Sequence, residues 1–157
     1  MPGVMGVLVA LFGWTVAHNM VYTYIQPLTS GVGIALGVDV VLLFFGISAG
    51  ISILLTAVVV DKRLFLTGLI SGALMLLGFL LLSVPAAPNY FFISGIIVWG
   101  LGFGGAPTVL QTALARNAVN LADIAQSFFV TIFNFGVGIG GALGGVISSL
   151  WGASALS

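Results

Sequence analysis

Six side chains stand out in a long apolar sequence: His18, Tyr22, Gln26, Trp99, Phe103 and Asn134. Thr15, His18, Tyr22 and Gln26 recur at helical spacing, which sets them in one stripe. An imidazole in such a stripe has two uses. It closes a hydrogen bond between helices, or it faces a path where it touches a ligand or exchanges a proton. Tyr22 and Gln26 share those options. Trp99 and Phe103, four residues apart, either pack together or form one wall of an apolar substrate cavity. Asn134 either bonds a neighbouring helix or contacts substrate. Pro107 removes a backbone donor and kinks its helix, with a gating use open to it. Asp61, Lys62 and Arg63 together read as a solvated loop.

The elements that position these groups follow from composition. Of 157 residues, 61% are hydrophobic and 4% charged, against roughly 25% charged in soluble domains. So few charges cannot cover a globule in water, but a bilayer accepts apolar surface. Glycine, at 23 residues, allows membrane helices to approach closely. Gly136, Gly140 and Gly144 form one such face, Gly141 and Gly145 a second, and Gly46 and Gly50 a third. A hydrocarbon core of about 30 Å needs about 20 helical residues. Five stretches qualify: 4–28, 38–60, 64–84, 90–115 and 122–150. They make one all-α membrane bundle of about five transmembrane helices over 1–157. A transmembrane β-barrel is disfavoured, because runs such as 74–82 do not alternate. The third stretch is the blandest and is expected to face lipid.

The turns between these stretches are read at 27–37, 61–63, 85–89 and 116–123. Lys62, Arg63 and Arg116 fall in alternate turns and therefore on one side. The positive-inside rule makes that side cytoplasmic, together with the N-terminus. No Lys or Arg precedes Lys62, so the start of the chain does not read as a signal peptide.

Several segments resemble the C-terminal half of major facilitator superfamily transporters, specifically helices seven to eleven of sugar and drug efflux proteins. His18-Asn19-Met20-Val21-Tyr22-Thr23-Tyr24-Ile25-Gln26-Pro27-Leu28 is similar to helix seven. Leu42-Leu43-Phe44-Phe45-Gly46 is similar to the start of helix eight, and Asp61-Lys62-Arg63 to the loop that follows it. The run from Trp99 to Gln111 resembles helix ten, and Asn134 to Gly145 resembles helix eleven. Ala57 stands where glycine is expected, the loop after Arg63 lacks further basic residues, and no twelfth helix follows. The resemblance implies a fragment of a multi-pass protein of the bacterial inner (plasma) membrane. It also implies a missing N-terminal half-domain, a small-molecule substrate, and solute export by alternating access coupled to protons. Asp61 and Arg63 would then help latch a conformational state.

Other classes fit less well. There is one His, no Cys and no Glu, so no metal site or cofactor is expected. No His-Glu-x-x-His or Gly-x-Ser-x-Gly run suggests an enzyme. Zero net charge offers nothing to nucleic acid. No carboxylate falls mid-span, so the carrier carboxylate of a proton-driven transporter would belong to the missing half, with His18 the only internal candidate here. A non-transporting membrane scaffold is the alternative. The discriminator is whether His18, Tyr22, Trp99, Phe103 and Asn134 gather around one place.

Overall fold

Proline and glycine set the punctuation of the chain. The computed structural model describes residues 2–32, 36–84, 88–119 and 121–156. Helix α1 (Pro2–Tyr22) ends early because the Pro27 ring would clash with the Thr23 carbonyl of a continuing helix. Thr23 and Tyr24 form the break, and α2 (Ile25–Val32) resumes after it. The expected turn from 27 onward is therefore partly helical. Helix α3 (Val38–Leu82) has 45 residues, and only Arg63 inside it leaves helical geometry (φ −138°, ψ 45°). The expected three-residue turn at 61–63 is thus a one-residue hinge. Helices α4 (Asn89–Gly104) and α5 (Ala106–Asn117) meet at Gly105. Helix α6 (Ala122–Trp151) fills the expected fifth stretch and leads into a short 3₁₀ turn, Ala153–Leu156. The expected turn at 85–89 falls mainly on 85–87, outside the described residues.

Arg63 folds α3 back on itself. Phe45 and Met75 belong to one buried cluster, whereas a straight helix would hold them roughly 45 Å apart. Ser52, Thr56, Thr67 and Ser71 line a common groove between the limbs, residues 38–62 and 64–82. Among the described residues, four helices are long and apolar enough to cross a membrane: residues 3–22, 38–82, 89–117 (α4 with α5) and 122–151. Because the second of these is a hairpin, the bundle contains five rods.

Helix α4 lies against both limbs of α3, and glycines make the approach possible. Methyl groups at Gly100, Gly102 or Gly104 would press into Phe45, Met75 or Ala49 respectively. Gly78 on the second limb leaves the same room, since a methyl there would stand 2.7 Å from the Trp99 backbone. The 64–82 limb is therefore not confined to lipid. It buries Thr67, Ser71, Met75, Gly78 and Leu82 and exposes its other faces.

On the opposite side α6 packs on α1. Gly136, Gly140 and Gly144 are buried against Thr15, Val16 with Asn19, and Met20 with Tyr24. The second glycine pair meets a tyrosine: the Tyr24 hydroxyl donates to the Gly141 carbonyl at 3.0 Å and sits over Gly145. Gly46 and Gly50 have open space in front of them, so the third expected face is not used.

The limbs of α3 carry an inverted pattern for a protein in water. Their small hydroxyl residues Ser48, Ser52, Thr56, Thr67 and Ser71 are buried. Their large apolar side chains face outward, with Val58 77% and Phe65 80% exposed. Burying such residues in water is worth roughly 1.5–3 kcal/mol each. A hydrocarbon solvent removes the incentive and instead drives hydroxyls inward.

One end of the bundle gathers every charge but Asp39, which lies at the start of α3. Arg116 approaches the Asp61 carboxylate at 3.4 Å and donates to the Asp61 carbonyl at 2.7 Å. Asn117 lies beside Gly3. The turn at Lys62 and Arg63, the end of α5 and the start of α1 therefore share one end.

Two predictions follow from this packing. With no native cysteine to interfere, Lys62→Cys and Asn89→Cys should react with a membrane-impermeant maleimide from opposite sides of the bilayer. Reaction of both from one side refutes the hairpin. Gly140→Ala should lower stability by about 1–3 kcal/mol, because its methyl would meet the Val16 carbonyl at 2.7 Å. Gly138→Ala, facing open space, should be neutral or stabilising by up to about 1 kcal/mol. Unfolding in detergent mixtures, followed by tryptophan fluorescence, reads both.

Candidate functional site

The stripe on α1 turns His18 toward α4 and the first limb of α3. Its imidazole lies flat on Phe103, with ring centroids 3.4 Å apart and planes within 5°. Tyr22 stacks on it at 5.1 Å, Trp99 tilts toward it at 5.3 Å, and Phe45 lies at 5.7 Å. Phe45 and Trp99 touch each other at 4.6 Å. Five rings from three rods thus meet in one cluster. Offset and edge contacts of this kind contribute about 0.5–1.5 kcal/mol each beyond burial.

The cluster has a buried floor and an open edge. Trp99 is 1% exposed and His18 6%, while Tyr22 is 39% exposed. Among the described residues, His18 Nδ1 and Trp99 Nε1 find no hydrogen-bond partner, and neither does Trp14 Nε1 on the same helix as His18. A buried indole N–H or imidazole nitrogen normally finds one. The His18 and Trp99 atoms are both shut off from the surface of the bundle. Larger voids lie elsewhere. The groove between α1 and the second limb holds about 350 Å³ and is lined by Ala10, Gly13, Trp14, Ala17, Met75 and Phe79 among others.

Of the six residues expected to share a site, four converge: His18, Tyr22, Trp99 and Phe103. Gln26 is exposed on α2, past the Pro27 break that interrupts the stripe. Asn134 is also exposed, and its amide donates to the Val130 carbonyl of its own helix at 2.8 Å. It stands two residues, about 200° of helix, before Gly136, and so faces away from α1. Of the three gating candidates, Asp61 pairs with Arg116, Arg63 is the hinge of α3, and Pro107 follows the break at Gly105.

Sequence reasoning missed Phe45, Ser52 and Arg116. The spacing of Ser48, Ser52 and Thr56 in an apolar span was a usable signal for the first two. Hydroxyls four apart mark the buried face, and Phe45 lies on it one turn earlier. Ser52 occupies the break in the α4–α5 rod. Its hydroxyl donates to the Leu101 carbonyl at 2.6 Å and accepts the Gly105 N–H at 3.1 Å. Arg116 was visible as the only basic residue in its turn, but its partner required the fold.

No group of three or more His, Cys, Asp or Glu side chains suited to a metal occurs among the described residues. No protein-family model matches the sequence, and no solved structure matches the fold.

The two asparagine and phenylalanine positions separate cluster from periphery. Phe103→Ala should destabilise the bundle by about 2–4 kcal/mol and shift Trp99 emission to the red, because it opens the ring stack. Asn134→Ala should stay within about 0.5 kcal/mol. Equal effects would remove the distinction. Fluorescence of the chain with Trp14 and Trp151 replaced by phenylalanine measures both.

Proposed function

We propose that this chain is an integral membrane protein and supplies one wall of a secondary transporter's solute pathway. The observation that carries the proposal is the convergence of His18, Tyr22, Phe45, Trp99 and Phe103. They meet well inside a bundle whose outer face is apolar. The motif resemblance to the C-terminal half of major facilitator transporters supports the same reading. So do the two interrupted rods, α1–α2 and α4–α5, since discontinuous helices often border transport sites.

On this reading the cluster takes a small organic solute through its open edge at Tyr22. The rings provide stacking area. His18 is the candidate proton carrier. A second half-domain would close the pathway from the other side and alternate its access across the plasma membrane. The competing reading is a scaffold, favoured by the outward direction of Asn134, which leaves the stripe on α6 outside the cluster.

Binding can be measured on the chain in lipid nanodiscs, with Trp99 as the sole tryptophan. Titration with representative aromatic amines, sugars and carboxylic acids should show saturable quenching by at least one class. Tyr22→Ala should weaken it roughly tenfold, in line with loss of one aromatic contact of about 1.4 kcal/mol. Flat titrations throughout, or binding indifferent to Tyr22→Ala, return the cluster to helix packing and favour the scaffold.

A further inference from the structure

We propose that Ser52 is an exchangeable hydrogen-bond bridge that holds the α4–α5 rod in its broken form, and that the rod straightens when the hydroxyl leaves. In an unbroken helix the Gly105 N–H would donate to the Leu101 carbonyl. Here the Ser52 hydroxyl stands between these two groups, donating to one at 2.6 Å and accepting from the other at 3.1 Å. The Gly105 N–H also leans toward the Phe103 carbonyl. That carbonyl is the one whose i+4 donor is missing because residue 107 is proline.

The bridge depends on close contact. A methyl at Gly104 would press on the Ala49 backbone, and one at Gly105 would meet Thr56 and lie 3.2 Å from the Ser52 hydroxyl. Side chains at these positions would push the first limb of α3 out of reach. Glycine at both lets a short serine side chain reach a neighbouring backbone.

The exchange conserves the hydrogen bonds of Ser52, Leu101 and the Gly105 N–H. In the straight form the Gly105 N–H bonds Leu101 directly, and the Ser52 hydroxyl turns to the Ser48 carbonyl of its own helix. Thr67, Thr112 and Ser127 already make this i−4 bond to Arg63, Thr108 and Asp123. Only the Phe103 carbonyl, whose i+4 donor Pro107 lacks, keeps no partner in the straight form. The two forms can therefore lie close in energy, with Pro107 fixing where the rod bends.

The consequences reach both ends. Phe103, which covers His18, lies two residues before Gly105. Arg116, which pairs with Asp61, ends the other arm. That arm is roughly 16 Å long at 1.5 Å per residue, so a change of about 20° in the bend moves its end by roughly 5 Å. Ser52 is thus a positioning residue for both features, whatever solute the cluster takes.

Spin labels at Val58→Cys and Ala115→Cys, both exposed, report this movement by electron–electron distance measurement on the chain in nanodiscs. Ser52→Ala should displace the main distance by about 3–6 Å or add a second population. Ser52→Thr, which keeps the hydroxyl, should restore the original distribution. Ser48→Ala should leave it unchanged, because that hydroxyl bonds only the Phe45 carbonyl of its own helix. Pro107→Ala, which supplies the missing donor, should shift the distance as Ser52→Ala does and stands in for it if that variant fails to insert. An unaltered distribution in Ser52→Ala or in Pro107→Ala overturns the proposal. So does an equal shift in Ser52→Ala and Ser52→Thr, which would assign the effect to packing.

Discussion

The contact of α4 with both limbs of α3 governs the bundle, and it depends on absent β-carbons. Gly100, Gly102 and Gly104 on one side and Gly78 on the other allow backbones to approach at distances a methyl would forbid. Once α4 is seated, Trp99 lies flush against the second limb and touches Phe45 of the first. His18 on α1 then has a ready-made aromatic surface to pack on. The close approach also brings Ser52 within hydrogen-bonding range of the α4 backbone. In lipid there is little hydrophobic force between helices, so such van der Waals contact and polar pairing must supply the association.

Much of the architecture was legible because the solvent requirement is strong. Runs of about 20 apolar residues have few structures open to them, and the five expected stretches are mainly helical, with breaks at Thr23–Tyr24 and Gly105. The glycine face of α6 was equally readable, since Gly136, Gly140 and Gly144 recur every four residues and have no other evident use. Where the reading went astray, local cost had been misjudged. Three consecutive charged residues suggested a loop, yet a single residue in non-helical geometry is enough to reverse α3. Gly46 and Gly50 have the same spacing as the glycines that pack, but they point to the outside, and spacing alone cannot give that direction.

The candidate site was legible along each helix and obscure between helices. The three-seven offset from Thr15 to His18 to Tyr22 and the pair Trp99 and Phe103 placed four of the five rings. Gln26 followed the same spacing but not the same helix, because Pro27 interrupts it. Asn134 was attractive as a polar group at mid-span, and its own backbone satisfies it. The partnership of Ser52 with Leu101 and Gly105 joins residues about fifty positions apart, and no local pattern in the chain encodes it.

The one-residue reversal at Arg63 has a bearing on how the chain is made. If the chain is inserted as proposed, the absence of a linker between the limbs means residues 38–82 would enter the bilayer as a closed pair. Before α4 docks, the hydroxyls of Ser48, Ser52, Thr56, Thr67 and Ser71 line a face with no neighbour. Each can fold back onto a carbonyl one turn earlier in its own limb, so the nascent hairpin is chemically complete before its partner exists. The arrival of α4 then proceeds by exchange of bonds already made, and assembly of the bundle requires no intermediate with bare polar groups in the membrane interior.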